Sequence, residues 1–278
     1  MSEKQPISIL ILTKDEEINL PGCLESLSWA DEIIVLDSFS VDRTIEIAGE
    51  FGARVIQRKY DNAATLNWAV QNIEFKHKWV YYSDADERVT PELKCELIDV
   101  IHRADDPRVA YRLRYKNIFM GTWNRHSFFY PLWILRLFIP SKVRWERLIN
   151  PVAVVDGPEG QLHNHFMHFS FNKGMFEWFN KHNSYSTYEA QELVNKMSTE
   201  IDWKGLLGPI AVRRRTMKEI AYRVPGRPIM MFVYLYVVRG GFLEGRCGLH
   251  FSILRSIYEY MIDIKVIELK RRSKNLSM

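Results

Sequence analysis

Four short apolar runs punctuate the first hundred residues, and each gives way to polar or acidic side chains. They are Ile7–Leu12 (ISILIL), Glu32–Asp37 (EIIVLD), Arg54–Gln57 (RVIQ) and Trp79–Ser83 (WVYYS), the last leading into Asp84-Ala85-Asp86. Runs of this kind fit strands buried on both faces. Between them the spacing turns helical: Asn19–Ser28 with Leu20, Leu24 and Leu27 on one face, Ser40 through Phe51, and Asn62–Ile73. A further helix starts near Pro91 and ends near His102. Strands alternating with helices imply an α/β fold on a Rossmann-like, mostly parallel sheet with helices on both faces.

In open α/β sheets the ligand crevice lies outside the carboxyl ends of the strands. Polar residues gather at those ends here, in Thr13–Glu17, Asp37–Asp42 and Asp84–Glu87. Three polar loops around one site follow. Farther on, Arg108–Phe119 alternates like a strand, Phe128–Ile139 is apolar with Arg136 inside it, and Ala153–Val155 reads as a strand before an Asp156-Gly157-Pro158 turn. Gly174 to about Lys196 is helical, and helical spacing resumes at Trp203 with breaks at Pro209, Pro225-Gly226, Pro228 and Gly240-Gly241.

Two carboxylates at i and i+2 around a strand-end turn can approach one divalent ion, and hard Mg²⁺ or Mn²⁺ suits such oxygen ligands and phosphates. The bland alternative for Asp84-Ala85-Asp86 is a turn with a helix cap. Three scattered cysteines, Cys23, Cys95 and Cys247, suggest neither a disulfide framework nor a cysteine zinc site, which favours a reducing compartment. The amino terminus lacks the pattern of a secretory signal. No apolar run approaches the roughly 18 residues of a membrane span; the longest, Ile229–Val238, stops at Arg239.

Several ordered stretches together resemble inverting glycosyltransferases of family 2, which share the GT-A fold. They are Ile9–Glu17 (ILILTKDEE), Ile34–Ala48 (IVLDSFSVDRTIEIA), Asp61–Ala69 (DNAATLNWA), Tyr82–Leu93 (YSDADERVTPEL) and His182–Ala190 (HNSYSTYEA). The lipopolysaccharide-core glucosyltransferase-like subgroup also ends in a pattern similar to Tyr234–Glu268. The resemblance implies a nucleotide-sugar-binding half over residues 1–105, an acceptor-binding half with the catalytic loop over 106–200, and a basic helical region over 201–278.

It also implies roles. Thr13, Lys14, Asp15 and Glu16 would line the nucleotide pocket of a UDP-sugar, and Asp37 would accept hydrogen bonds from uracil or ribose, its alternative being a helix cap. Asn67 and Asp84 would meet the donor, and Asp86 would ligate Mg²⁺ or Mn²⁺ to neutralise the diphosphate leaving group. His168 would join the metal, with His163 and His165 as rivals and a zinc trio as the alternative. The general base would be Glu146, in a loop, where Val143-Arg144-Trp145-Glu146-Arg147 stands in place of the subgroup's V-H-E pattern. Trp145 could stack on a sugar or pack, and Glu146 could instead pair with Arg144 or Arg147. The subgroup carries a cation where Leu66 stands, so phosphate contact would pass to Arg88 or to a C-terminal arginine.

Charge separates the chain's two ends. Residues 201–278 hold 15 Lys and Arg against 6 Asp and Glu, net +9, while the rest holds 23 against 28, net −5. Met230, Met231, Phe232, Tyr234, Leu235, Tyr236 and Phe242 are flanked by Arg213-Arg214-Arg215, Arg223, Arg227 and Lys270-Arg271-Arg272. Apolar side chains bordered by cations suit an anionic membrane surface. This implies a peripheral protein on the inner face of the cytoplasmic membrane with a glycolipid acceptor. Packing on the catalytic region or a homo-oligomer contact are other uses of these helices. A nucleotidyltransferase would want a Gly-rich loop after the first strand, whereas Thr13–Glu17 is acidic and glycine-free. A nucleic-acid-binding protein would have no need of strand-end carboxylates, so no nucleic-acid partner is expected.

Overall fold

The computed structural model describes residues 3–146, 152–197, 203, 207–209, 212–213, 216–217, 220 and 226–278. Arg147, Arg214, Arg215, Arg223 and Pro225 lie outside them. The chain divides into two compact units, Met1–Ile118 with Phe129–Asn172, and Phe119–Phe128 with Lys173–Met278. The boundary expected at 105/106 falls inside the first unit, because later strands complete the sheet that the first four begin. The one expected at 200/201 falls on undescribed residues.

In the first unit the four apolar runs form β1 (Gln5–Thr13), β2 (Ala30–Asp37), β3 (Arg54–Gln57) and β4 (Val80–Asp84). They alternate with α1 (Leu20–Leu27), α2 (Thr44–Glu50) and α3 (Asn62–Asn72). A three-residue strand, β5 (Glu87–Val89), precedes α4 (Pro91–Ile101), whose start is capped by the Thr90 hydroxyl accepting from Leu93 N–H at 3.3 Å. Then come β6 (Ala110–Phe119), β8 (Trp133–Phe138), β9 (Val143–Glu146), β10 (Val152–Val155) and β11 (Glu159–His168), while the two-residue β7 (Thr122–Trp123) belongs to the second unit.

The main strand order is β3-β2-β1-β4-β8-β6-β11-β5, with β9 and β10 forming an antiparallel pair of their own. β1 to β4 run parallel, and β6 and β11 are parallel to each other; β8 runs against both β4 and β6. The carboxyl ends of six strands therefore share one edge. Register sets Thr13 beside Asp37, Asp37 beside Gln57, and Leu12 beside Asp84. Both faces are covered. Ile7, Ile9 and Ile11 pack with Leu20, Leu24, Leu93 and Leu97 on one, and Leu10, Ile34 and Leu36 pack with Leu66, Ala69 and Phe138 on the other.

β4 and β5 stand far apart in that order yet are joined by Ala85 and Asp86 alone. The path β4-β8-β6-β11-β5 must therefore curl until its ends almost meet. β5 closes it by pairing antiparallel with β11, His168 opposite Glu87.

In the second unit, α5 (Gly174–Met197) packs on the long α7 (Gly245–Arg272) through Ala190, Leu193, Tyr258, Ile262 and Val266. The Lys265 ammonium fastens the pair, donating to Asn183 O and Oδ1, Ser186 Oγ and Thr187 Oγ1. The shorter α6 (Arg227–Val233) is held to α7 by Arg227, buried between Glu259 and Asp263. A π-helical turn (Tyr234–Val238) and a 3-10 turn (Gly241–Glu244) join the two. Gly248 is needed there: a Cβ would stand 1.9 Å from the Gly241 carbonyl oxygen. Among the described residues no helix is long and apolar enough to cross a membrane.

Candidate active site

The loops after β1 and β2 are laced together. Backbone N–H groups of Asp15, Glu16 and Glu17 donate to Ser40 Oγ, Thr44 Oγ1 and Asp42 Oδ2, and Val41 N–H donates back to Asp15 Oδ1. Asp15 itself adopts φ +52°, a left-handed conformation its short polar side chain tolerates. The Lys14 ammonium donates to Phe39 O at 2.5 Å and pairs with Asp15. Asp37 is 0 % exposed and accepts from Thr13 Oγ1 (3.1 Å), Ser40 N–H (2.9 Å), Ser40 Oγ and Gln57 Nε2 (3.4 Å). It pins the turn after β2 and caps no helix, since α2 begins only at Thr44.

Around the β4 turn the carboxylates take different surroundings. Asp84 accepts from Tyr82 OH and Arg136 Nη2, both at 2.6 Å. Arg136 also pairs with the buried Glu87, and its guanidinium lies 4.3 Å from the Tyr82 ring centre. Burial pushes the Glu87 carboxyl up to about 7, against the pull of Arg136. Burial opposes the charge on Arg136, yet Glu87 and Asp84 outweigh it and hold the guanidinium protonated. Arg136 thus occupies Asp84 and Glu87, and Asp86 faces elsewhere.

Asp86 Oδ2 lies 3.3 Å from His168 Nε2, each side chain 22 % exposed. The Phe169 N–H donates to Asp86 O at 2.8 Å, fastening the turn to the end of β11. The edge of the His168 ring meets Tyr115, which stacks on Phe166. Burial works against a charged His168, but Asp86, with Glu87 and Asp84 behind it, raises its pKa. Its Nδ1 is buried without a partner. His163 and His165 stand apart: the His163 backbone N–H donates to Glu96, and His165 is kept neutral by burial and by Lys116 and Arg114. Among the described residues no three His, Cys, Asp or Glu side chains are grouped to hold an ion. One carboxylate and one imidazole at a strand end could still serve an ion such as Mn²⁺ or Mg²⁺, which fills its remaining positions with substrate phosphates and water.

Arg88, Asn67 and Glu146 also have partners within the protein. Arg88 donates to Ala85 O, Glu87 O and Asn19 O at 3.0, 2.8 and 2.6 Å. Asn67 clamps the backbone of Trp145, donating to its oxygen at 2.8 Å and accepting from its N–H at 2.7 Å. Trp145 is buried against Phe138, so it packs. Glu146 ends a strand rather than sitting in a loop, since β9 pairs it with Val152. Its side chain is 56 % exposed and 3.1 Å from Arg144.

Sequence reasoning gave Arg136, Glu87, Tyr82 and Tyr115 no role. Arg136 had a signal: a charge inside WILRLF must find a partner once the strand is buried.

The sequence profile of glycosyl transferase family 2 matches residues 8–177, which include every element of this site. The chain belongs to glycosyl transferase family 2. The glycosyltransferase is 24 % identical to an uncharacterized glycosyltransferase of Rickettsia typhi over 97 % of this chain and 89 % of that one. It is 26 % identical to the lipopolysaccharide core biosynthesis glycosyltransferase LpsC of Rhizobium meliloti, over 96 % and 94 %. The glucosyl-3-phosphoglycerate synthase of Mycobacterium tuberculosis, solved with Mn²⁺ and UDP, aligns with 40 % of this chain and 44 % of its own at 22 % identity and a TM-score of 0.34. That likeness is too low to bear on donor or metal. The glycosyltransferase has the GT-A-like α/β architecture expected of its family, with a mostly parallel sheet.

Proposed function

We propose that the glycosyltransferase moves a sugar from a nucleotide-sugar donor, a UDP-sugar, to a membrane glycolipid, with inversion and with Mg²⁺ or Mn²⁺. The observation that carries this reading is the Asp86–His168 pair at the edge shared by the strand ends, where a diphosphate would complete an ion's coordination. Asp86 and His168 would hold the ion, and bound there it would neutralise the diphosphate as it leaves. Arg136 keeps Asp84 and Glu87 from adding their negative charge unopposed beside an anionic donor. The Thr13–Glu17 and Asp37–Thr44 loops, already laced together, offer a preformed wall for the nucleotide. Glu146 would take the proton of the acceptor hydroxyl as it attacks the anomeric carbon from the side opposite the diphosphate.

A thermal-shift screen of UDP-, GDP-, ADP- and dTDP-sugars tests the reading. At about 100 times its dissociation constant a donor adds about 2.7 kcal/mol, which raises the melting temperature of a chain this size by roughly 5–10 °C. The rise is expected with UDP-sugars and only when Mn²⁺ or Mg²⁺ is present. A shift that is indifferent to metal would remove the ion from the proposal.

The acceptor reading draws on the likeness to LpsC and on the second unit. Ile229, Met230, Val233, Tyr234, Val237, Val238, Phe242 and Leu243 are exposed, within one short stretch ahead of α7. Leu235 is buried, and Met231, Phe232 and Tyr236 are half-buried, so the exposed set differs from the one expected. Lys270, Arg271 and Arg272 are exposed at the end of α7. Such a surface suits the inner leaflet of the cytoplasmic membrane, where sugar nucleotides are available. The protein is expected to sediment with vesicles containing anionic lipid, and less so in high salt. Equal sedimentation with neutral vesicles would defeat the electrostatic part, and none with either would leave these helices to a protein contact.

A further inference from the structure

The nucleotide reading calls for a donor-facing group with hydrogen bonds to give, and the expected ones are engaged. Leu66 is 5 % exposed and packed in the core, so it supplies no cation. Arg88 is bound to three carbonyl oxygens, Arg136 to Asp84 and Glu87, and Lys14 to Phe39 O and Asp15. The Asp37 carboxylate is taken up by Thr13, Ser40 and Gln57.

Arg58 stands in contrast. It directly follows β3, so it lies at the edge that carries Thr13, Asp37 and Asp84, and its backbone N–H donates to Asp37 O at 2.9 Å. Its guanidinium rests over the Trp68 ring, 4.6 Å from the centre. The Nε is buried without a hydrogen-bond partner, and no ion pair engages the guanidinium among the described residues. A guanidinium is a rigid fork of five donors, and with no side-chain hydrogen bond or ion pair on Arg58 among the described residues, those of its outer nitrogens are left for a ligand. The contact with Trp68 holds the guanidinium at the ring face before any ligand arrives.

Strand order decides which part of a donor it would meet. β3 is three strands from β4, roughly 14 Å at the usual inter-strand spacing. Asp37, the residue expected to meet uracil or ribose, ends β2, so a nucleoside diphosphate with its phosphates at Asp86 would extend its base toward β2 and β3. We infer that Arg58 reads the nucleobase, donating to a carbonyl oxygen of a uracil ring, and so sets the donor's base specificity. This rests on the reading that the strand-end edge takes a nucleotide-sugar.

The test measures the affinities of UDP, uridine and ADP for wild type, Arg58→Met and Arg58→Lys, with Mn²⁺ present. Methionine keeps an unbranched side chain on Trp68 but has no donor. Arg58→Met is expected to weaken UDP and uridine by the same factor, roughly 10- to 100-fold, the worth of a charged hydrogen bond. ADP should barely respond, so the preference for UDP collapses. Arg58→Lys, charged but without the fork, should fall between, and it carries the test if the methionine variant does not fold. Unaltered UDP affinity overturns the inference. So does a loss for UDP with none for uridine, which would put Arg58 on the phosphates. A wild-type protein that binds no nucleoside diphosphate overturns the donor reading itself, and this inference with it.

Discussion

Asp86→Ala is expected to abolish metal-dependent donor binding. Asp84 and Glu87 are held by Arg136, so Asp86 is the acid at the turn that lies against the His168 imidazole. An ion bridging to a diphosphate supplies several kcal/mol, so UDP affinity measured with Mn²⁺ should fall by roughly 10²-fold or more. It should then match wild type stripped with a chelator. Asp86→Asn keeps the shape of the turn and should give the same loss, which separates the ion from the fold. An Mn²⁺ effect of normal size in either variant would move the metal elsewhere.

Glu146→Gln should leave donor affinity nearly intact and lower transfer by roughly two to four orders of magnitude, the usual worth of a general base. The rival role, an ion pair with Arg144, predicts something different. Both side chains are more than half exposed, and exposed pairs contribute at most about 1 kcal/mol. Losing that pair would shift stability slightly and could not produce so large a rate loss. β9 also holds the residue in place by other means, through the buried Trp145 and the two-point clamp from Asn67. Glutamine keeps size and hydrogen bonding but takes no proton. Near-normal turnover would shift the role to another carboxylate, with Asp156 and Glu159 the next to substitute.

The first four strands and their helices were legible because their signals are local: apolar runs such as ISILIL, and Leu20, Leu24 and Leu27 on one face of a helix. β5, β9 and β11 were not. ERV of β5 and VRWE of β9 lack the adjacent apolar pair that marks RVIQ of β3, and the ten residues of β11 mix histidine, asparagine and glutamine with apolar residues. What makes them strands is pairing with partners distant in the chain. The site divides in the same way. Strand-end acids could be placed from sequence, because strand order and edge chemistry go together. The buried salt link from Arg136 could not, since its partners lie on other strands. Trp145 beside Glu146 was visible as a residue, but only the Asn67 clamp and the Phe138 contact show that it packs.

The two-residue join between β4 and β5 fixes a length as well as a shape. Side chains alternate along a strand, so one added residue in the Ala85-Asp86 turn would slip Glu87 out of alignment with His168 and turn the acids toward the wrong side. One residue fewer would leave the curled strand path unable to shut. The identities of the side chains in this turn can drift as far as their chemistry allows, but its residue count is locked by the fold, and insertions must be accommodated elsewhere along the chain.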